Sequence, residues 1–175
     1  MLPYRALWSN ADFAYHVLGK QMKPGDNVIS ILPMAHMYGM SFEFLFEFIN
    51  GCHVFYLTRI PSPAIIAAAF AEIRPVIIIA VPLIIEKIIK KKVFPKLQDP
   101  RMRLLMKMPG INKKVFERIN EQVTQAFGGR FIEVIIGGAA FSQEVEQFLH
   151  RIGFRYTVGY GATECAPIIG YEDWS

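Results

Sequence analysis

The chain has 175 residues, 53% of them apolar, and a formal net charge of +4. That length supports a sizeable core, and that composition excludes a disordered tail. The mild positive charge permits an anionic partner without pointing to nucleic acid. No apolar run reaches the ~20 residues that a bilayer span needs; the best candidate begins at Pro75 and stops at Glu86. The first residues lack the basic, apolar and small-residue order of a signal peptide. Cys52 and Cys165 do not make a disulfide framework. With no export signal they read as reduced thiols, which places the chain in the cytoplasm.

In chain order, the pattern predicts a helix over 4–20, with Tyr4, Leu7, Trp8, Ala11, Tyr15 and Leu18 on one face and Pro3 at its start. Lys23-Pro24-Gly25-Asp26 is a turn before a strand over 27–32. Residues 39–50 read as a helix stopped by Gly51, although phenylalanines at 42, 44, 46 and 48 alternate as in a strand. A strand over 52–57 follows, then a Ser62 cap, Pro63 and an alanine-rich helix to Ile73. The apolar run 76–80 reads as a strand buried on both faces, and Pro82 opens a helix to about Lys91. The basic stretch 93–111 carries no clear pattern. Asn112 is expected to cap a helix ended by Gly128-Gly129, with a strand over 131–136 behind it. Ser142 caps the next helix, whose first turn holds Glu144 and Glu146, and 154–158 is the last strand. Strands alternating with helices predict an α/β fold: a doubly wound, mostly parallel sheet with helices on both faces.

In such sheets ligands bind at the carboxyl ends of the strands. Three strands here run into unusual loops: Leu32-Pro33-Met34-Ala35-His36-Met37-Tyr38-Gly39, Gly137-Gly138-Ala139-Ala140-Phe141 and Gly159-Tyr160-Gly161-Ala162-Thr163-Glu164. Glycines let backbone groups approach a ligand closely. Tyr160 offers a flat face to a purine, the Thr163 hydroxyl a donor to phosphate, and Glu164 a hard oxygen for Mg²⁺. His36 can donate to a carboxylate oxygen. Each feature alone has a plainer reading, as a turn, a local hydrogen bond or a solvated loop.

Together the loops resemble the adenylate-forming superfamily. The third resembles its Tyr-Gly-x-Thr-Glu signature, the first its Leu-Pro-x-x-His-x-x-Gly segment, and the second its Gly-Gly-Ala-Pro loop with Ala140 in place of proline. Order and spacing also match, and the stretch 127–167 looks most like bacterial long-chain fatty-acid–CoA ligases. The resemblance implies ATP-dependent formation of an acyl-adenylate, followed by thioester formation with coenzyme A. It implies that Tyr160 stacks on adenine with the Gly138-Ala139 backbone opposite, and that Gly137, Gly159 and Gly161 complete the nucleotide loops. Thr163 would contact the α-phosphate, Glu164 would hold Mg²⁺, and His36 would lie near the acyl carboxylate. Met37, Tyr38, Gly39 and Gly161 would line the acyl entrance.

The resemblance also implies parts that are not in these residues. They are a Ser/Thr/Gly-rich phosphate loop ending in lysine, a Thr-Gly-Asp motif for the ribose, and a small C-terminal domain. The helix starting at Tyr4 and the close at Tyr171-Glu172-Asp173-Trp174-Ser175 both read as cuts inside a larger protein, so residues 1–175 form a single α/β subdomain of it. The 175 residues alone are therefore expected to be inactive. The basic segment 87–118 reads as a solvated face, with anionic lipid headgroups at the inner membrane face or CoA phosphates as the alternatives. Rival functions are an adenylate-forming ligase for a shorter or aromatic acid and a non-catalytic membrane-surface binding module. A Rossmann-type oxidoreductase is disfavoured because no Gly-x-Gly-x-x-Gly follows a first strand.

Overall fold

The computed structural model describes residues 2–58 and 61–171. Helix α1 (Tyr4–Val17) leads to strand β1 (Asn27–Ser30). A π-helical stretch, Gly39–Leu45, runs directly into α2 (Phe46–Ile49) and returns the chain to β2 (His53–Tyr56). Helix α3 (Pro63–Ile73) precedes β3 (Ile77–Ala80). The long crossover to β4 (Glu133–Gly137) holds α4 (Pro82–Ile88), a π-helical stretch Ile89–Val93, α5 (Phe94–Leu97), α6 (Pro100–Lys107) and α7 (Asn112–Ala126). Helix α8 (Gln143–Ile152) then leads to β5 (Tyr156–Gly161), and a short β6 (Ile168–Gly170) follows.

The strands form two sheets. β1 and β2 pair in parallel, and β3, β4 and β5 pair in parallel with β6 antiparallel at the end. The expected single sheet is thus divided between β1 and β3. A backbone bond from Val76 N to Asn27 O (2.9 Å) and a side-chain bond from Asn27 Nδ2 to Ile73 O (3.1 Å) join the two parts there. β6 is an addition to the expected order.

Side chains on a strand alternate between faces, and here the alternation sorts residues into two cores. Ile29, Ile78, Ala80, Val134 and Ile136 face one cluster with Ile66, Phe70, Ile85, Phe127, Leu149 and Phe154. Val28, Ile77, Ile79 and Ile135 face the other, with Ala11, Ala14, Leu18, Phe42 and Phe46. Helices therefore cover both faces, as the strand–helix alternation predicts. Burial of both faces accounts for the wholly apolar β3, in which all four residues are buried.

Local signals explain most boundaries. Ser62 Oγ accepts from Ile65 N (3.3 Å) at the start of α3, and Pro63 occupies its first turn. Gly153, in the left-handed region at φ 68°, ends α8. Other expectations are corrected. Asn112 is the first residue of α7 and not its cap, and its Oδ1 accepts from the neighbouring Lys113 N (2.8 Å). Ser142 makes no side-chain cap; instead its N–H donates to Glu86 Oε1 (2.9 Å). The inward face of α1 is Asn10, Ala11 and Ala14, while Tyr4, Trp8 and Tyr15 point to solvent. The patternless stretch 93–111 is largely helical. Of the closing residues, 172–175 lie outside the described ones.

Candidate functional site

Loops leaving the carboxyl ends of β1, β4 and β5 meet at one cavity of about 210 Å³. His36 and Tyr38 line it from the first loop, Gly137 and Gly138 from the second, and Gly159, Tyr160, Gly161 and Thr163 from the third. Its deeper wall is apolar. Val17 and Leu18 contribute from the end of α1, Phe42 and Phe46 from the π/α2 helix, and Ile79 and Ile135 from the sheet.

The first loop is anchored by a buried acid. Glu43 is fully buried, and its Oε2 accepts from Leu32 N (2.7 Å), Ile31 N (3.0 Å) and the Ser30 hydroxyl (3.1 Å). These are the amides that β1 leaves free where it ends, so Glu43 fixes the direction in which the loop departs. Burial pushes the Glu43 carboxyl up to about 7, against the pull of those hydrogen bonds. One turn on, burial and the charge of Glu43 raise Glu47 well above the usual carboxylate range. Glu47 Oε2 has no hydrogen-bond partner among the described residues. Burial, then Glu47 and Asp26, push the nearby Cys52 thiol up to about 12.

Within that loop His36 is exposed, and its Nδ1 accepts from Tyr38 N (3.2 Å). In the neutral ring this leaves the proton on Nε2, free to donate to an acceptor in the cavity. Tyr38 is buried, and its hydroxyl donates to Ile135 O (3.3 Å). Burial and then the charge of Glu43 raise its phenol, so Tyr38 acts as a neutral donor and wall. A Cβ on Gly137 would lie 3.3 Å from the Tyr38 ring and 3.2 Å from Gly159 O, tighter than ordinary van der Waals contact, so glycine eases the packing of Tyr38 against β4.

The third loop is held by backbone. Ala162 N donates to Pro167 O (2.8 Å) to close the turn onto β6, and a Cβ on Gly161 would lie 2.2 Å from that oxygen. Asn10 of α1 ties the far side of the turn, its Oδ1 accepting from Ile168 N (2.8 Å). The closure leaves Tyr160 70% exposed at the cavity mouth and starts a 3₁₀ turn, Thr163–Cys165, with Thr163 on the cavity.

Four predicted site residues are not in the lining. Met37 is half-buried beside it, Ala139 and Glu164 are exposed outside it, and Gly39 is buried. Gly39 has a packing reason: a Cβ there would sit 2.7 Å from Pro33 O. Glu164 belongs to no group of three or more metal-ligating side chains among the described residues. The sequence reading missed the α1 wall, the hairpin to β6 and the anchor Glu43. A signal for Glu43 existed, since acids at 43 and 47 interrupt an otherwise apolar helical run.

An α/β fold with glycine loops gathered at the strand ends is the architecture of a nucleotide-handling domain. The whole chain, residues 1–175, matches the family of AMP-binding enzymes, and the protein belongs to it. It is 26% identical over 178 residues to long-chain-fatty-acid–CoA ligase 2 of Schizosaccharomyces pombe, covering 90% of this chain and 26% of that one. It is 29% identical over 153 residues to long-chain-fatty-acid–CoA ligase 3 of Saccharomyces cerevisiae, covering 79% and 22%. The chain thus spans about a quarter of the length of the curated relatives it matches. Among solved structures, o-succinylbenzoate coenzyme A synthetase from Bacillus subtilis, in complex with ATP and magnesium ion, superposes with a TM-score of 0.64 at 16% identity, over 96% of this chain and 28% of that one. A long-chain-fatty-acid–CoA ligase from Archaeoglobus fulgidus superposes with a TM-score of 0.61 at 11% identity, over 99% and 30%. At such identities the likeness speaks for the fold alone.

Proposed function

We propose that residues 1–175 form one α/β subdomain of a cytoplasmic, ATP-dependent acid–thiol ligase acting on long-chain fatty acids. In this reaction the acid's carboxylate oxygen bonds to the α-phosphorus of ATP and pyrophosphate leaves. The thiol of coenzyme A then attacks the acyl carbon, AMP leaves, and a thioester remains. The observation that carries the reading is the single cavity onto which His36, both glycine loops, Tyr160 and Thr163 converge.

The residues have separable tasks. Tyr160 presents a ring at the mouth for the adenine, and Gly138, at φ 88°, lets backbone come close on the other side. Thr163 donates to the α-phosphate. His36, with its Nε2 proton directed by the Nδ1 contact, orients the acyl carboxylate for attack. The apolar wall formed by α1, Phe42 and Phe46 takes the alkyl chain and excludes water. Glu164 is a lone exposed carboxylate next to Thr163, which suits an ion that arrives on phosphates and not a cage built by protein. Magnesium held there would neutralise charge on the phosphates. Long-chain acids partition into membranes, so peripheral contact with the inner membrane face accompanies this function.

The test is Glu164→Gln in the complete enzyme that contains this segment. Pyrophosphate release should fall about a hundredfold, as for loss of one oriented stabilising group, with no change in thermal unfolding. Unchanged release at limiting Mg²⁺ would remove Glu164 from the mechanism. The 175 residues alone should give only background pyrophosphate exchange, because they hold no Gly-x-x-x-x-Gly-Lys-Ser/Thr loop for the outer phosphates. A panel of acids separates long-chain from short or aromatic substrates. Preference for an aromatic acid would replace the long-chain fatty acid as substrate.

A further inference from the structure

The charge of this chain is strongly segregated. The segment 87–118 carries eleven of the nineteen lysines and arginines and two of the fifteen acids, so the remaining residues are net negative. One of the two acids, Asp99, is occupied in capping α6, where its Oδ1 accepts from Arg101 N (2.7 Å). A solvated basic face would be polar between its cations, and this one is not. Helix α6 turns Met102 and Met106 toward the core, yet Leu104 is 63% exposed and Leu105 37% exposed. The turn into α7 continues the row, with Met108 38% and Ile111 40% exposed, and exposed Lys113 and Lys114 follow. Four large apolar side chains thus reach water within eight residues, bordered by cations.

We infer that the α6–α7 corner is a docking surface for an anionic lipid bilayer. Leucine, isoleucine and methionine enter the acyl boundary, while lysines pair with headgroup phosphates above it; neither term alone holds a protein at a membrane for long. The apolar groups are aliphatic or thioether, and binding of single-stranded nucleic acid calls for aromatic stacking platforms. The surface is separate from the cavity. Met102 and Met106 pack on the core of one sheet face, and the α1 wall of the cavity packs on the other. The surface gives a site to the membrane contact proposed above but takes part in no step of the ligase reaction, and vesicle binding is read without turnover, so the ligase chemistry and the docking surface can fail separately.

The experiment is flotation of the full chain with phosphatidylcholine vesicles, with and without phosphatidylglycerol, at about 0.05 and 0.5 M salt. Binding should favour the anionic vesicles by about tenfold or more at low salt and largely disappear at high salt. The double substitution Leu104→Ser, Leu105→Ser should weaken it by about tenfold with an unchanged unfolding midpoint. If that variant does not fold, Lys113→Glu with Lys114→Glu serves instead. It should weaken anionic binding and flatten the salt dependence. Equal binding to neutral and anionic vesicles overturns the proposal. So does binding that follows charge but ignores the folded leucine variant, which would assign the surface to a soluble polyanion.

Discussion

The loop after β1 and the loop after β5 open on the same cavity but are held by different means. The first is pinned by a side chain: Glu43 reaches out of a helix to take the amides of Ile31 and Leu32. The second is pinned by backbone: Ala162 N meets Pro167 O, and Gly161 is glycine because nothing larger fits under that oxygen. A loop held by a side chain can be loosened by changing a charge or a proton. A loop held by packed backbone, with Asn10 as a minor side-chain tie, yields mainly to a steric insult. If this contrast is right, the two loops should respond to different perturbations.

The sharpest break is Gly161→Ala. Its Cβ would stand 2.2 Å from a carbonyl oxygen, so the β5–β6 turn must move. Overpacking of this kind costs about 1–3 kcal/mol, and the upper end is expected because the neighbour is backbone. Urea unfolding measures the loss. A midpoint equal to that of the parent would mean that the turn is slack and the contrast false.

Glu43→Ala comes next. It strands two amides and the Ser30 hydroxyl in the interior, and each unsatisfied buried group costs about 1–3 kcal/mol. Relief from burying a carboxyl offsets part of this, so a net loss of about 2 kcal/mol is expected. Hydrogen exchange separates the loops: the amides of Ile31 and Leu32 should lose protection while Ala162 keeps its own. Equal loss at both would show that the loops are one cooperative unit.

Asn10→Ala tests the second loop more gently. It removes the acceptor of Ile168 N at a half-buried site and should cost about 1 kcal/mol. The effect should appear at β6 and leave the Glu43 anchor untouched.

The same contrast explains what the sequence revealed. The loops were legible because a backbone that must approach something closely leaves a mark in glycine, as at Gly137, Gly138 and Gly161. The sheet was legible because strands buried on both faces are apolar without interruption, as in β3. Glu43 was not read as an anchor, since its partners are amides that any sequence supplies. The α1 face departs from its aromatic pattern because alanines at 11 and 14, not the aromatics, allow the close approach of the π-helix. β6 is three residues long and antiparallel, and it has no periodicity to detect.

The smallest effect is a pH dependence, and its sign is specific. Glu43 has its carboxyl raised from an ordinary 4.5 to about 7 in the folded chain, so the folded state holds that proton more tightly than the unfolded state does. Its contribution is therefore complete below pH 4.5 and is lost as the pH rises through about 7, opposite to the behaviour of a carboxylate in an ion pair. Glu47, buried beside it and raised in the same direction, adds to the slope. Stability should thus decline between pH 5 and 8 by more than exposed carboxylates explain. Glu43→Gln sharpens the test. The amide oxygen can still accept from Leu32 N, so the loop should hold at pH 5, yet one titrating group is gone. Unfolding midpoints of parent and variant should lie close together at pH 5 and diverge toward pH 8, with the variant the more stable there. Parallel curves would show that Glu43 does not titrate in this range and that the first loop, like the second, is held independently of any proton.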